Sequence, residues 1–136
     1  MLTTTIRPRF SDTDALGHIN NTVIPVWFLE AREPVLRLFR SGDAARDIAL
    51  AVVRMEVDYL AETAFGEDVE IRTRVARIGN SSFVLAQEVF QSGQCTARGM
   101  TTLVHFNPQS RRAEPVPGPV REELAKLLMP EGTSGQ

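Results

Sequence analysis

A single cysteine, Cys95, stands among the 136 residues. It has no internal partner, so no intrachain disulfide holds the fold, and a reducing compartment is the natural expectation, with the cytoplasm as default. Histidine is almost as scarce. His18 and His105 are the only two, and two distant imidazoles with one thiol do not make a zinc site. No apolar run approaches the roughly 20 residues that a membrane span requires. Residues 1–7 also lack the basic-then-apolar plan of a signal peptide. Cations are not grouped: Arg111-Arg112 is the only adjacent basic pair and the net charge is −2. A block able to neutralise a run of phosphates is therefore missing, and nucleic acid is not an expected partner. Internal repeats, low-complexity tracts and interior linkers are absent as well.

What is present is ordinary globular composition, 43% hydrophobic and 24% charged. The length suits one domain that buries a core without staples. A single domain is expected over residues 1–130, with a frayed tail at 131–136. A first strand is expected over residues 3–10, ending before the polar run Ser11-Asp12-Thr13-Asp14. Residues 23–39 are almost continuously apolar and read as a buried helix, kinked at Pro34 and stopped near Gly42. The period then changes to two. Val53, Met55, Val57 and Tyr59 alternate with charged residues, as do Val69, Ile71, Thr73 and Val75, which predicts strands with one wet face. Gly79-Asn80 reads as a hairpin turn in which glycine supplies a positive φ. Strands over residues 81–91 and 94–106 complete an antiparallel meander through the turn Ser92-Gly93. A proline-rich arm follows, and Pro119 suits the first turn of a short helix. The layering is α+β, an antiparallel sheet wrapped around one long central helix.

The stretch that carries chemistry is Asp12-Thr13-Asp14-Ala15-Leu16-Gly17-His18-Ile19-Asn20-Asn21, between the first strand and the buried helix. A helix start presents unpaired N–H groups and partial positive charge, which suit an anion or the oxyanion of an attacked carbonyl. A carboxylate just upstream can attack that carbonyl or deprotonate a water beside it. Gly17 lets the backbone approach a ligand. The same residue types also build plain N-cap loops, and Asn20, Asn21 or Thr22 would serve as the cap. Spacing alone does not separate Asp12 from Asp14, because residues two apart in an extended segment share a face.

With Asp12-Thr13-Asp14, Gly17-His18-Ile19-Asn20-Asn21 and Glu30-Ala31-Arg32 in order, followed by Ile78-Gly79-Asn80-Ser81-Ser82 and Thr102-Leu103-Val104, the chain resembles the 4-hydroxybenzoyl-CoA thioesterase family over most of its length. The resemblance implies a hotdog fold and hydrolysis of an acyl-CoA thioester to free acid and CoA. It implies Asp14 as the catalytic carboxylate, nucleophile or general base, and a helix-start amide at Asn21 or its neighbour as oxyanion donor. Gly17, His18, Asn20 and Ser82 are the implied substrate-binding positions. It implies no metal and no organic cofactor, and a homodimer or homotetramer whose site lies between subunits. Two departures stand out: Ile24 replaces a frequent tyrosine, and Pro25 follows it. If Asn21 capped the helix, Pro25 would collide with its carbonyl, so a start at Thr22 is expected.

Other readings remain open at this point. A non-catalytic module that binds acyl thioesters, or a thioesterase acting on acyl carrier protein, fits the same motif. A hotdog dehydratase is disfavoured, because no histidine occurs in residues 19–104, where the central helix would carry one. No Gly-x-Ser-x-Gly elbow surrounds Ser81 and Ser82, which excludes the usual serine hydrolase. Trp27, Phe28 and Phe39 are candidates to line an acyl pocket, or plain core. Arg72, Arg74 and Arg77 are candidates for the phosphates of CoA.

Overall fold

Residues 1–40 and 49–130 are described by the computed structural model. Five strands form one antiparallel sheet: β1 (Leu2–Ile6), β2 (Leu50–Tyr59), β3 (Val69–Ile78), β4 (Ser82–Gln91) and β5 (Gln94–His105), in the order β1-β3-β4-β5-β2. Helix α1 (Val23–Arg37) lies across one face and α2 (Gly118–Ala125) docks near its far end. Along β3 the period-two pattern is clean: Val69, Ile71, Thr73 and Val75 are buried, and the residues between them are not. Val69 and Ile71 share one core cluster with Trp27, Phe28 and Ala31 of α1, and Val75 shares a second with Val35. Each large apolar side chain buried this way contributes on the order of 2 kcal/mol. Gly99 of β5 sets how closely the helix sits, because a Cβ there would lie 2.7 Å from the Phe28 ring.

Several sequence expectations are corrected. The first strand stops at Ile6, not at residue 10, and a single 3-10 turn occupies Phe10–Asp12. Its ladder ends where β3 begins, at Ile6 opposite Val69, and Pro8 has no amide with which to extend it. Helix α1 ends at Arg37 instead of residue 39, with the Leu38 and Phe39 amides turned back onto Val35 and Leu36. Pro34 sits inside α1 without ending it; the expected stop at Gly42 and the expected tail at 131–136 lie outside the described residues. Gly79 is not in the positive-φ region. It is needed for space, since a Cβ there would meet Ser82 Oγ at 3.0 Å and the Ser82 carbonyl oxygen at 3.2 Å. The positive φ values belong to the next turn, at Ser92 (51°) and Gly93 (77°).

The one-helix picture also needs revision. Helix α2 buries Leu124 completely in a second cluster with Phe39, Phe83 and Leu103, so two helices share the sheet. Strand β2 keeps the expected alternation only in part: Met55 and Val57 are partly buried between exposed charged residues, and Val57 packs on the core. Val52 and Val53 are 50% and 60% exposed, because β2 is an edge strand with β5 on one side only, and a bulge interrupts the register between Val52 and Arg54. Among the described residues no helix is long and apolar enough to cross a membrane.

Candidate active site

The two aspartates of the motif face different surroundings. Asp12 is buried and closes the 3-10 turn, accepting from the Arg9 amide at 2.8 Å and from the Arg9 guanidinium at 3.2 Å. Asp14 is half-buried and folds the next residues around itself: one carboxylate oxygen accepts from the Leu16 amide at 2.8 Å and the His18 amide at 3.1 Å. Its other oxygen has no partner among the described residues. Gly17 makes this tight loop feasible, with φ at +81° and open space where a Cβ would stand.

The loop is anchored from across the molecule. Ile19 donates to the Thr63 carbonyl at 2.8 Å, and His18 pairs with Ala64. The Gln91 side chain holds both polar backbone groups of Ala64, and Thr63 bonds Thr96. His18 Nδ1 lies 3.0 Å from Glu62 without an aligned hydrogen bond. The Asn20 side chain accepts from the Thr22 amide at 2.9 Å and the Thr22 hydroxyl at 2.7 Å, closing a tight turn just ahead of the helix. Thr22 is the N-cap residue and α1 starts at Val23, which leaves Pro25 in the amide-free first turn. The Asn21 amide has no partner among the described residues.

Asp14, Ile19, Asn21 and Ile24 line a cavity of about 390 Å³ together with residues 59–63 from the end of β2. Of the motif residues, Asp14 and Asn21 line this cavity, whereas Gly17, His18 and Asn20 belong to the same loop without lining it. Ser82 does not join them within one chain. It begins β4, while the Asp14 loop is anchored beside Gln91 at the other end, and the 10-residue strand between them spans roughly 30 Å. Phe28 is core against Gly99, Phe39 stacks on Phe83 at 5.3 Å, and Trp27 lines a separate groove with Arg9, Asp12 and Glu30. None of these three aromatics lines the Asp14 cavity. Arg32 is buried, and desolvation lowers its pKa below the ordinary guanidinium value. Arg72 is already engaged, paired with Glu70 at 2.7 Å and lying 3.8 Å over the Phe90 ring. No three His, Cys, Asp or Glu side chains among the described residues are grouped to hold a metal.

Residues 8–126 match the family model of the thioesterase-like superfamily. The chain belongs to that superfamily. The match is to the superfamily as a whole and does not single out its 4-hydroxybenzoyl-CoA branch. A 1,4-dihydroxy-2-naphthoyl-CoA hydrolase of Synechococcus sp. (strain CC9605) is 32% identical over 113 residues, 76% of each chain. A predicted thioesterase from Bacillus stearothermophilus superposes with a TM-score of 0.91 at 39% identity, covering 96% of this chain and 98% of that one. A thioesterase from Thermus thermophilus, solved with coenzyme A and Zn, superposes with a TM-score of 0.81 at 32% identity, covering 90% and 96%.

Sequence reasoning missed the wall of this thioesterase-like cavity formed by Tyr59, Leu60, Glu62 and Thr63. Nothing local marks these residues, since they reach Asp14 only through the pairing of residues 60–64 with the ends of β4 and β5.

Proposed function

We propose that this chain hydrolyses an acyl-CoA thioester to the free acid and CoA, with Asp14 as the reacting carboxylate and the Asn21 amide as oxyanion donor. The observation that carries this reading is one cavity lined by both residues, each offering a polar group with no other partner among the described residues. As general base, Asp14 takes a proton from water, and the hydroxide formed attacks the thioester carbonyl carbon. The carbonyl oxygen becomes an oxyanion facing the Asn21 N–H. Collapse breaks the carbon–sulfur bond, and the departing CoA thiolate takes the proton back from Asp14. As nucleophile, Asp14 would instead displace the CoA thiolate to form a mixed anhydride, which water then opens to the free acid and the restored carboxylate, the released proton going to the thiolate.

The relatives support the substrate class, since one is a hydrolase of an aromatic acyl-CoA and another was solved with coenzyme A. The working unit we propose is a homodimer joined along the free edge of β2. An open strand edge with exposed Val52 and Val53 is a template for pairing. Antiparallel pairing of two β2 strands would bring the Leu50 end of one subunit beside the Tyr59 end of the other. Leu50 pairs with His105, and Ser82 with Val104, so Ser82 of the partner subunit would approach the Asp14 cavity.

The test is a hydrolysis screen over short, medium, long and aromatic acyl-CoAs, read by release of free thiol, with Asp14→Asn beside the wild type. Turnover lost in the variant is the expected result. Thioester binding without turnover would favour the non-catalytic module, and turnover only of acyl carrier protein thioesters would move the substrate class.

A further inference from the structure

We propose that Tyr59 is a positioning residue for this reaction: its phenol supplies to the Asn21 carbonyl the hydrogen bond that Pro25 cannot donate. The inference rests on the thioesterase reading above and adds a residue to its machinery.

In an α-helix the carbonyl of residue i accepts from the amide of residue i+4. Asn21 stands one residue before the Thr22 N-cap, and the amide that could extend the ladder back to its carbonyl is that of residue 25, a proline with no N–H. Thr22 already has helical angles, φ −72° and ψ −16°, so the Asn21 carbonyl faces a first turn that has nothing to give it. Tyr59 fills the place from 38 residues away, its hydroxyl donating to that carbonyl at 2.7 Å. It is the only tyrosine in the chain, and it is fixed on the last position of β2 by pairing with Ala97.

The rest of the junction is already paired. The Asn20 carbonyl accepts from Val23 at 3.0 Å, and the Thr22 amide is held by the Asn20 side chain. With Tyr59 in place, the Asn21 amide is the one backbone polar group of these two peptide units with no partner among the described residues. That is the state an oxyanion donor requires: fixed and unspent. Without the phenol, an unpaired carbonyl oxygen would stand on a residue lining the cavity, where its partial negative charge opposes a developing oxyanion. A neutral thioester in the ground state feels this much less, so the effect belongs in kcat.

The test compares Tyr59→Phe, Pro25→Ala and the double variant on the best acyl-CoA of the screen, each checked by circular dichroism and gel filtration. Tyr59→Phe keeps the ring in the cavity wall and should lower kcat roughly three- to tenfold, the worth of one neutral hydrogen bond, with KM little changed. Pro25→Ala alone should stay near wild type. The double variant should recover most of the lost kcat, because the new amide at residue 25 can bond the Asn21 carbonyl. An unchanged kcat in Tyr59→Phe, or a double variant as slow as Tyr59→Phe, overturns the proposal. Amide hydrogen exchange at Thr22, read by NMR, needs no turnover: it should quicken in Tyr59→Phe and slow again in the double variant, and unchanged exchange also overturns it. A wild type that hydrolyses no thioester would defeat the thioesterase reading, while the exchange measurement still judges the hydrogen bond.

Discussion

Asp12 and Asp14 are two residues apart, yet their carboxylates do different work. Asp12 is spent on Arg9, by a backbone and a guanidinium hydrogen bond, in a buried turn. Asp14 keeps one oxygen for its own loop and lines the cavity with the rest. Asp14→Asn preserves shape and hydrogen-bond acceptance but removes the carboxylate proposed as general base or nucleophile. It should cut kcat by about 10² to 10⁴, leave KM much less affected, and leave the melting temperature near wild type. Asp12→Asn should do the reverse. Loss of a charged acceptor from a buried turn should cost about 1–2 kcal/mol of stability, while kcat in the folded fraction falls by less than about tenfold. Steady-state kinetics and denaturant melts on both variants decide the matter. A well-folded, inactive Asp12→Asn beside an active Asp14→Asn would shift the assignment by two residues.

At the scale of elements, the distance between α1 and the sheet is set by one glycine. A Cβ on Gly99 would stand 2.7 Å from Phe28 Cε2 and 3.3 Å from the Glu56 carbonyl oxygen, so helix and edge strand would both have to yield. Gly99→Ala should therefore destabilise by about 1–3 kcal/mol, the usual range for overpacking, read as a lower urea midpoint with the slope unchanged. The arginines of β3 divide in the same structural terms. Arg72 is held by Glu70 and Phe90, whereas Arg77 is exposed and has no ion pair among the described residues. Arg74 also has no ion pair among the described residues and reaches only the Met1 thioether, so Arg74 and Arg77 are the arginines of this strand open to the phosphates of CoA, and Arg77 is the more exposed. Arg77→Gln should raise KM for an acyl-CoA and weaken its dependence on salt. Arg72→Gln should leave both alone.

At the scale of the whole molecule, the sheet ends on an unfinished edge. β2 pairs with β5 on one side, and Val52, Val53 and Tyr59 are at least half exposed on it. Light scattering at micromolar concentration should give a mass of at least two chains. Val52→Asp places a charge on that edge without removing a buried contact, so it should weaken association by tenfold or more, about 1.4 kcal/mol, with little change in secondary structure. Activity should fall with dilution in step with dissociation. A wild type that is monomeric and fully active would end the proposal of a shared site.

How much could be read without coordinates follows from the range of the forces involved. Strand periodicity, the apolar helix and the loop from Asp12 to Asn21 were legible, because each is written in neighbouring residues: alternation marks a half-buried strand, and glycine beside Asp and Asn marks a tight loop. The ends of elements were less legible. β1 stops where its partner strand begins, and α1 ends two residues before its apolar run does; pairing and packing decide such limits. The difference between Asp12 and Asp14 lay beyond local pattern, since it depends on which carboxylate the turn at Phe10–Asp12 buries. Tyr59 and Glu62 lay furthest out of reach. They stand in the cavity because β2 pairs with β5 and the segment after it is clamped by Gln91 and Thr96, contacts between residues far apart in the chain. The sequence by itself determined the local conformations and the chemical groups available; only the tertiary structure decided which of those groups share one cavity, because long-range pairing, unlike periodicity, leaves no mark in a single segment.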